Sequence, residues 1–129
     1  MCFRKKSAEY ITSDKDFVVY KVFRQVSNFK EKHYTGPYVL YYEYTDVNGG
    51  EYTCENFGEK IVGGCCFYGF HSFKNFNDAR EELDFLSEQA MPNEIYEIIP
   101  CIIKAGVKYY EGYEGLKEAF LSEKITVNY

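Results

Sequence analysis

Apolar residues along this chain fall into short runs, continuous or alternating with polar residues, and such runs predict β-strands. Residues 17–24 are β-branched or aromatic at nearly every position, which is typical of a central strand buried on both faces. Asn48-Gly49 lies between two such runs and is the strongest short-range signal for a hairpin. The predicted strands cover residues 17–24, 38–45, 51–55, 61–68, 95–103, 107–110 and 123–128.

One segment follows a helical period instead. Ala79, Leu83 and Leu86 recur at the spacing of one helix face, and Phe76 and Phe85 widen that apolar stripe. This pattern predicts a helix over residues 76–89. Its solvent-facing side is expected to carry Arg80, Glu81, Glu82, Asp84 and Glu88.

The strand-to-helix connection at residues 69–79 is the most informative segment of the chain. Gly69 allows the backbone to bend where the strand ends, and Phe70 and Phe73 are expected to anchor the connection in the core. Asn75 is a preferred N-cap residue, and an acidic residue follows three positions later, as in a capping box. The segment therefore predicts an architectural joint between sheet and helix.

Together these elements predict an α+β fold with a mainly antiparallel sheet of five to seven strands and one main helix. A length of 129 residues fits a single domain spanning residues 1–129. Residues 1–16 are polar and mixed, which predicts a loose N-terminal arm. Residues 25–36 are expected to form a loop, and residues 113–120 a loop or a short helix.

Aromatic content is the unusual feature of the composition. The chain has 14 Tyr, 11 Phe and no Trp, which amounts to 19% aromatic residues. Two interpretations stay open: strands that simply favour aromatic side chains, or a tyrosine-rich face that stacks a ligand. The formal net charge of −5 argues against general nucleic-acid binding, which requires a concentrated basic surface. No apolar run approaches the roughly 18 residues of a membrane span, so no membrane partner is expected.

The five cysteines predict a reducing environment. Their number is odd and no secretory signal precedes them, which favours free thiols in the cytoplasm. There is no Cys-x-x-Cys motif, and the adjacent Cys65 and Cys66 would point to opposite faces of a strand. We therefore expect buried, inert thiols and no metal site.

His71 is the first candidate for chemistry. It lies in the joint, where it and the backbone amides of residues 75–78 could hold an anion. The alternative is a structural histidine whose ring nitrogens bond to the backbone. A nucleophilic pair of Cys65 or Cys66 with His71 also stays open, although the spacing does not require it. Neither a Gly-x-Gly-x-x-Gly motif nor a phosphate-loop lysine motif is present.

Glu123 is the second candidate. It opens the last predicted strand, from which a carboxylate could reach a cleft and polarise a ribose hydroxyl. The alternative is an exposed glutamate paired with Lys124 or Lys104, since glutamate is mostly a surface residue.

Several segments resemble, in pattern and order, a family of small proteins from phages and gut bacteria to which no activity is assigned. The matching pieces are MCF at residues 1–3, VYKV at 19–22, GFHSF at 69–73, DA at 78–79, CIIKAG at 101–106, YYEG at 109–112 and SEKI at 122–125. The resemblance spans most of the chain. It implies a cytosolic accessory protein of a phage or mobile element, often a setting for proteins that blunt or trigger host defence.

The order of elements is also similar to the ADP-ribosyltransferase fold. In its poly-ADP-ribose-polymerase-like branch, a Gly-rich strand runs into a helix, an apolar strand follows, and a late strand carries the catalytic glutamate. Only Glu123 corresponds to a functional residue of that family, as the acid that orients the ribose of NAD. The chain has Tyr20-Lys21 where that branch has a His-Gly pair.

Two functional hypotheses follow. The first is a non-enzymatic binding protein for a host protein or a small nucleotide-like ligand, without a cofactor, in which a tyrosine-lined pocket stacks a base. Its predicted ligand-binding residues are Tyr20, Lys21, Tyr42, Tyr44, His71 and Tyr109. The alternative is an ADP-ribosyltransferase-like enzyme that uses NAD, with Glu123 as the catalytic acid. A homodimer formed through an exposed strand edge is a third, purely structural expectation.

Overall fold

A computed structural model of the protein describes residues 3–27, 32–35, 50–60, 67–89 and 95–127. In these ranges ten strands form one sheet, and one helix packs against it. The elements are β1 (Phe3–Lys5), β2 (Ile11–Thr12), β3 (Phe17–Ser27), β4 (Lys32–Thr35), β5 (Gly50–Thr53), β6 (Phe70–Phe73), α1 (Phe76–Glu88), β7 (Ile95–Ile103), β8 (Lys108–Glu114), β9 (Lys117–Ser122) and β10 (Lys124–Val127). The predicted α+β class is confirmed, whereas the predicted five to seven strands are too few.

The sheet is antiparallel at every described pairing and has the order β1-β8-β9-β6-β3-β7-β10-β5. Strand β2 also pairs with β8, and β4 also pairs with β3. Strand β3 is central, as predicted: it pairs with β7 from Phe17 opposite Ile103 to Gln25 opposite Ile95. Its other edge pairs with β6 at Tyr20 and then with β4. Apolar side chains on both faces of β3 fit this position, because both faces are covered.

Segments that the sequence predicts as irregular supply the additional strands. Strands β1 and β2 replace the predicted loose arm, because Phe3 inserts its ring into the core, with only 1% of its surface exposed. The predicted loop or short helix at residues 113–120 is the end of β8, a turn and the start of β9. Gly115 has a φ of 65° in that turn, which favours glycine. The predicted loop at residues 25–36 contains the end of β3 and all of β4.

The sheet buries an apolar cluster on each face. The helix-side core lies under α1 and comprises Phe3, Val22, Phe73, Ala79, Tyr110, Ala119 and Leu121. The inner core lies on the opposite face and comprises Val19, Phe23, Cys54, Phe70, Ile99, Cys101, Ile103, Val107, Phe120, Ile125 and Val127. Because the inner core joins residues from near both ends of the strand order, the sheet curves around it. Cys54 and Cys101 are buried free thiols, as predicted.

The joint between β6 and α1 has the predicted glycine bend and phenylalanine anchors, but not the predicted side-chain cap. Gly69 has a φ of 151°, and a Cβ there would lie 2.8 Å from the side chain of Leu121, so a larger residue would collide with β9. Phe70 and Phe73 are both buried. Asn75 is the N-cap, although its side chain contacts the side chain of Asp78 at 3.5 Å instead of capping the backbone.

Glu82 departs from the predicted solvent-facing side of the helix. It lies three residues after the buried Ala79, and therefore on the same side of α1, where it is only 3% exposed. Lys117 at the start of β9 provides the counter-charge, with its Nζ 3.6 Å from Oε2 of Glu82. The carboxylate is thus buried because the sheet offers a cation under the helix.

Some predictions fall outside the described residues. These are the strand at residues 38–45 with Tyr42 and Tyr44, the Asn48-Gly49 hairpin turn, Cys2, and residues 61–66 of the strand predicted at 61–68, which include Cys65 and Cys66. The run after that turn is strand β5, which pairs antiparallel with β10. In the described part of the chain, no helix combines the length and apolar character that crossing a lipid bilayer requires.

Candidate functional site

A cleft of about 390 Å³ opens on the sheet face that points away from α1. Successive side chains of a strand point to opposite faces, so Tyr109, Glu111 and Tyr113 of β8 face the cleft while the residues between them face the helix-side core. Opposite them on β9, Phe120 pairs with Glu111, and Glu118 pairs with Tyr113. The cleft is lined by Lys6, Lys15, Phe17, Lys74, Tyr109, Glu111, Gly112, Tyr113, Glu118, Ala119 and Phe120.

Three aromatic rings form one wall of the cleft. The centroid of Phe17 lies 5.4 Å from those of both Tyr109 and Phe120, and Tyr109 lies 5.6 Å from Phe120. All three pairs are edge-to-face, an arrangement that aromatic rings prefer and that fixes each ring by the other two. Phe120 belongs to the inner core, and Phe17 and Tyr109 pack against it, so the wall is anchored to the interior.

Charged side chains surround the aromatic wall. Lys6, Lys15 and Lys74 contribute three ammonium groups, against the two carboxylates of Glu111 and Glu118. Lys74 and Glu118 approach to 3.7 Å, but both are more than half exposed, so this pair contributes little stability and can separate when a ligand arrives. The cleft therefore carries more positive than negative charge on a chain whose formal net charge is −5.

Tyr109 is the predicted ligand-binding residue that the structure places in this cleft. Partial burial raises the pKa of its phenol, and the neighbouring carboxylates of Glu111 and Asp14 raise that pKa further. The hydroxyl group therefore stays neutral through the physiological range and can donate a hydrogen bond. Tyr20 is half-buried elsewhere, with its ring edge-to-face against Phe76 at 5.6 Å. Tyr42 lies outside the described residues, and so does Tyr44.

His71 is buried and hydrogen-bonds to a carboxylate that the sequence did not suggest. The ring Nδ1–H of His71 donates to Oε1 of Glu114, and both side chains are 2% exposed. Glu114 lies on β8 and His71 on β6, with β9 between them, so the contact joins two strands that are not direct neighbours in the sheet. Glu114 Oε2 accepts no hydrogen bond from the described residues. The described partner of the ring is thus a carboxylate, whereas the structural alternative predicted a backbone group.

Lys21, another predicted ligand-binding residue, is buried beside this pair. Its Nζ donates to the backbone oxygen of His71 at 2.7 Å. Burial lowers the pKa of Lys21 from its ordinary 10.5 to about 7, and the negative charge of Glu114 only partly offsets that shift. Burial also raises the pKa of the Cys101 thiol from 9.0 to about 12. Neither Lys21 nor His71 lines the cleft.

The lowered pKa of Lys21 predicts that the protein becomes more stable as the pH rises from 7 to 9. In this range the unfolded chain keeps the proton that folded Lys21 has released, so the free energy of unfolding increases with pH. Above pH 9 the raised pKa of Cys101 acts in the opposite direction. Urea unfolding should show that the free energy of unfolding rises by about 1–2 kcal/mol between pH 7 and 9. One titrating group can contribute at most about 1.4 kcal/mol per pH unit, so the expected rise lies within that limit.

Lys21→Met tests this assignment, because methionine fills similar space without a charge. Its unfolding free energy should lose the rise between pH 7 and 9, whereas Lys60→Met, at an exposed lysine, should keep the rise. A wild-type protein with equal stability at both pH values would contradict the prediction.

Glu123 lies in the short turn between β9 and β10, one residue before the strand that it was predicted to open. Its backbone N–H donates to Lys108 at 2.9 Å, and its backbone oxygen accepts from Cys54 at 2.8 Å. Of its two predicted partners, Lys104 approaches Glu51 at 3.9 Å. The backbone of Glu123 thus ties three segments together, and its side chain is not among those that line the cleft.

The three lysines and the aromatic wall were missed as a set by the sequence reasoning. Their members come from the residue after β1, from the turn before β3, from the joint, and from β3, β8 and β9, and no local spacing connects them. Among the described residues, no group of three His, Cys, Asp or Glu side chains lies close enough to hold a metal ion. No protein-family model, curated protein or solved structure matches this chain. The resemblances to the phage and gut-bacterial family and to the ADP-ribosyltransferase fold therefore stay predictions.

Proposed function

We propose that this protein is a non-enzymatic binding module that holds a small nucleotide-like ligand in the cleft beside Tyr109. The observation that carries the proposal is the combination of a fixed aromatic wall with three lysines around one cavity. An aromatic wall fits the face of a base, and ammonium groups fit a phosphate. Stacking one base on an aromatic side chain contributes about 1–3 kcal/mol.

The size of the cleft supports a ligand of the nucleotide class. Its volume of about 390 Å³ lies at the lower end of the range in which pockets bury small molecules. Such a cavity suits a mononucleotide better than a folded protein segment. The carboxylates of Glu111 and Glu118 can accept hydrogen bonds from ribose hydroxyls or from an exocyclic amine.

The charge of the molecule supports a small ligand over a long nucleic acid. A polyanion would meet a chain with a net charge of −5, whereas one nucleotide meets the cleft, where three lysines outnumber two glutamates. The resemblance to the phage and gut-bacterial family supports a cytosolic setting, in which capture of a nucleotide-like molecule would act on host defence. No observation on the described residues brings Glu123 to the cleft, so the transferase alternative gains no support.

Titration with adenosine monophosphate, followed by calorimetry and by amide chemical shifts, tests the proposal. We expect binding with shift changes that centre on β8 and β9. The double variant K15Q/K74Q should bind at least ten-fold more weakly, because about 1.4 kcal/mol of lost phosphate attraction corresponds to that factor. Tyr109→Leu should also weaken binding, because it removes the stacking ring while keeping an apolar side chain against the inner core.

Lys60→Gln is the matched control, because it removes one exposed ammonium group that does not line the cleft. Its affinity for the nucleotide should equal that of the wild type. The proposal fails if the wild type binds no nucleotide at millimolar concentration. It also fails if K15Q/K74Q and the control bind equally well, since the site would then lie elsewhere.

A further inference from the structure

A second pocket of about 370 Å³ adjoins the cleft and shares two residues with it. It is lined by Lys6, Ser7, Glu9, Tyr10, Ile11 and Glu111. Lys6 and Glu111 line both cavities, so they stand at the junction between them. The two cavities therefore meet at these two side chains.

An insertion at the edge of the sheet creates this second pocket. Both β1 and β2 pair with the same edge of β8, where the N–H of Lys6 donates to Glu111 and Ile11 lies opposite Tyr109. Four residues, 7–10, therefore stand against one, Tyr110, on β8. The extra residues bulge away from the edge, a device that proteins often use to position side chains next to a site.

The bulge presents an aromatic ring that is both exposed and fixed. Tyr10 is 49% exposed, and its ring lies edge-to-face against Tyr110, with 6.2 Å between the centroids. The Nζ of Lys108 lies 5.1 Å from the centroid of the same ring. An exposed ring that two neighbours hold in place can stack on a ligand without a further loss of side-chain freedom.

We infer that the two pockets together bind a ligand with two rings joined by an anionic linker, that is, a dinucleotide. One base packs on the aromatic wall beside Tyr109, the second base packs on Tyr10, and Lys6 faces the linking phosphate. The carboxylate of Glu111 at the same junction repels anions and so limits the negative charge that the linker of the ligand can carry. This favours a phosphodiester or pyrophosphate linker over a longer polyphosphate. The inference depends on the proposed nucleotide site.

The test compares adenosine monophosphate with the two dinucleotides ApA and NAD by calorimetry. At least one dinucleotide should bind the wild type ten-fold or more tightly than the mononucleotide does. Tyr10→Ser should abolish this gain while changing the affinity for the mononucleotide by less than two-fold. Leu116→Ser is the control, because Leu116 is an apolar side chain that is 97% exposed and lines neither pocket. This variant should still bind the dinucleotide more tightly than the mononucleotide. Thermal unfolding of each variant verifies that it is folded.

The outcomes separate this inference from the proposed function. If the wild type bound none of the three nucleotides, both the proposed function and the dinucleotide inference would be wrong. Binding of the mononucleotide in the cleft, with neither dinucleotide tighter, would overturn the dinucleotide alone. Equal weakening of the mononucleotide and the dinucleotides by Tyr10→Ser would also overturn it, because Tyr10 would then not form a separate compartment.

Discussion

Gly112→Ala is expected to detach β1 from the sheet and to lower the free energy of unfolding by at least about 3 kcal/mol. A Cβ at this position would lie 2.1 Å from the backbone oxygen of Arg4 and 2.5 Å from the ring of Phe3. The ring could turn aside, but the backbone oxygen belongs to the β1–β8 pairing and can move only if that pairing opens. Opening exposes Phe3, whose burial alone contributes about 1.5–3 kcal/mol.

Urea unfolding measures this loss, and amide exchange shows where it arises. The N–H of Lys6, which donates to Glu111 at 2.9 Å, should lose protection in Gly112→Ala. Gly106→Ala is the matched control, because its φ of 88° also disfavours alanine while no atom lies within 4 Å of the new Cβ. We expect the control to cost only about 1 kcal/mol. Equal losses in the two variants would show that the collision at Gly112 is relieved without opening β1.

The same strand, β8, connects this stability effect to the candidate site. Tyr110 and Glu114 lie on the helix side of β8, while Glu111 and Tyr113 point into the cleft. Strand β1 also carries Lys5, whose Nζ lies 3.9 Å from the ring centroid of Tyr110 and helps to hold β1 on the edge. Loss of β1 would therefore also move Lys6, the lysine shared by the two pockets. We expect Gly112→Ala to weaken ligand binding as well as stability.

The parts of the fold that the sequence predicted correctly are those set by local signals. Helix α1 has an N-cap and an apolar stripe within a few residues of each other, and β3 is apolar on both faces. The N-terminal strand was missed because its signal is not local. Phe3 is followed by three basic residues instead of an alternating apolar pattern, and its burial depends on pairing with Glu114, far along the chain. Strand β9 was missed because it begins with two charged residues: Lys117, which pairs with Glu82 under the helix, and Glu118, which lines the cleft.

The candidate site was predictable only in part, because most of its residues come together from distant parts of the chain. Tyr109 was selected by its residue type, since an aromatic residue with a polar tip suits a wet pocket. No sequence pattern marks Lys6, Lys15 and Lys74 as a set, because they lie far apart along the chain and come together only at the cavity. His71 was recognised as a candidate without its partner. The bond to Glu114 crosses β9, and no spacing in the sequence indicates such a contact.

Glu114→Ala is expected to lower the free energy of unfolding by about 3–5 kcal/mol, the cost of breaking a buried pair by removing one partner. The variant removes the acceptor that the Nδ1–H of His71 uses in a site from which water is excluded. It also removes a negative charge that helps to hold a proton on Lys21. Below pH 7, where the cost of burying charged Lys21 is largest, the loss should be greatest. Urea unfolding at pH 6 and pH 8 measures both effects.

Glu118→Ala is the matched control on the neighbouring strand. Its carboxylate pairs with Lys74 in an exposed position, so its removal should cost less than about 1 kcal/mol. The double variant His71→Leu/Glu114→Leu distinguishes a lost pair from lost packing. Replacing both partners by apolar groups removes the unpaired polar atom, and it should recover much of the stability that Glu114→Ala loses. If Glu114→Ala cost no more than Glu118→Ala, the buried pair would not be the structural anchor of β6 and β8. If the double variant were as unstable as the single one, the loss would come from the cavity and not from the broken hydrogen bond.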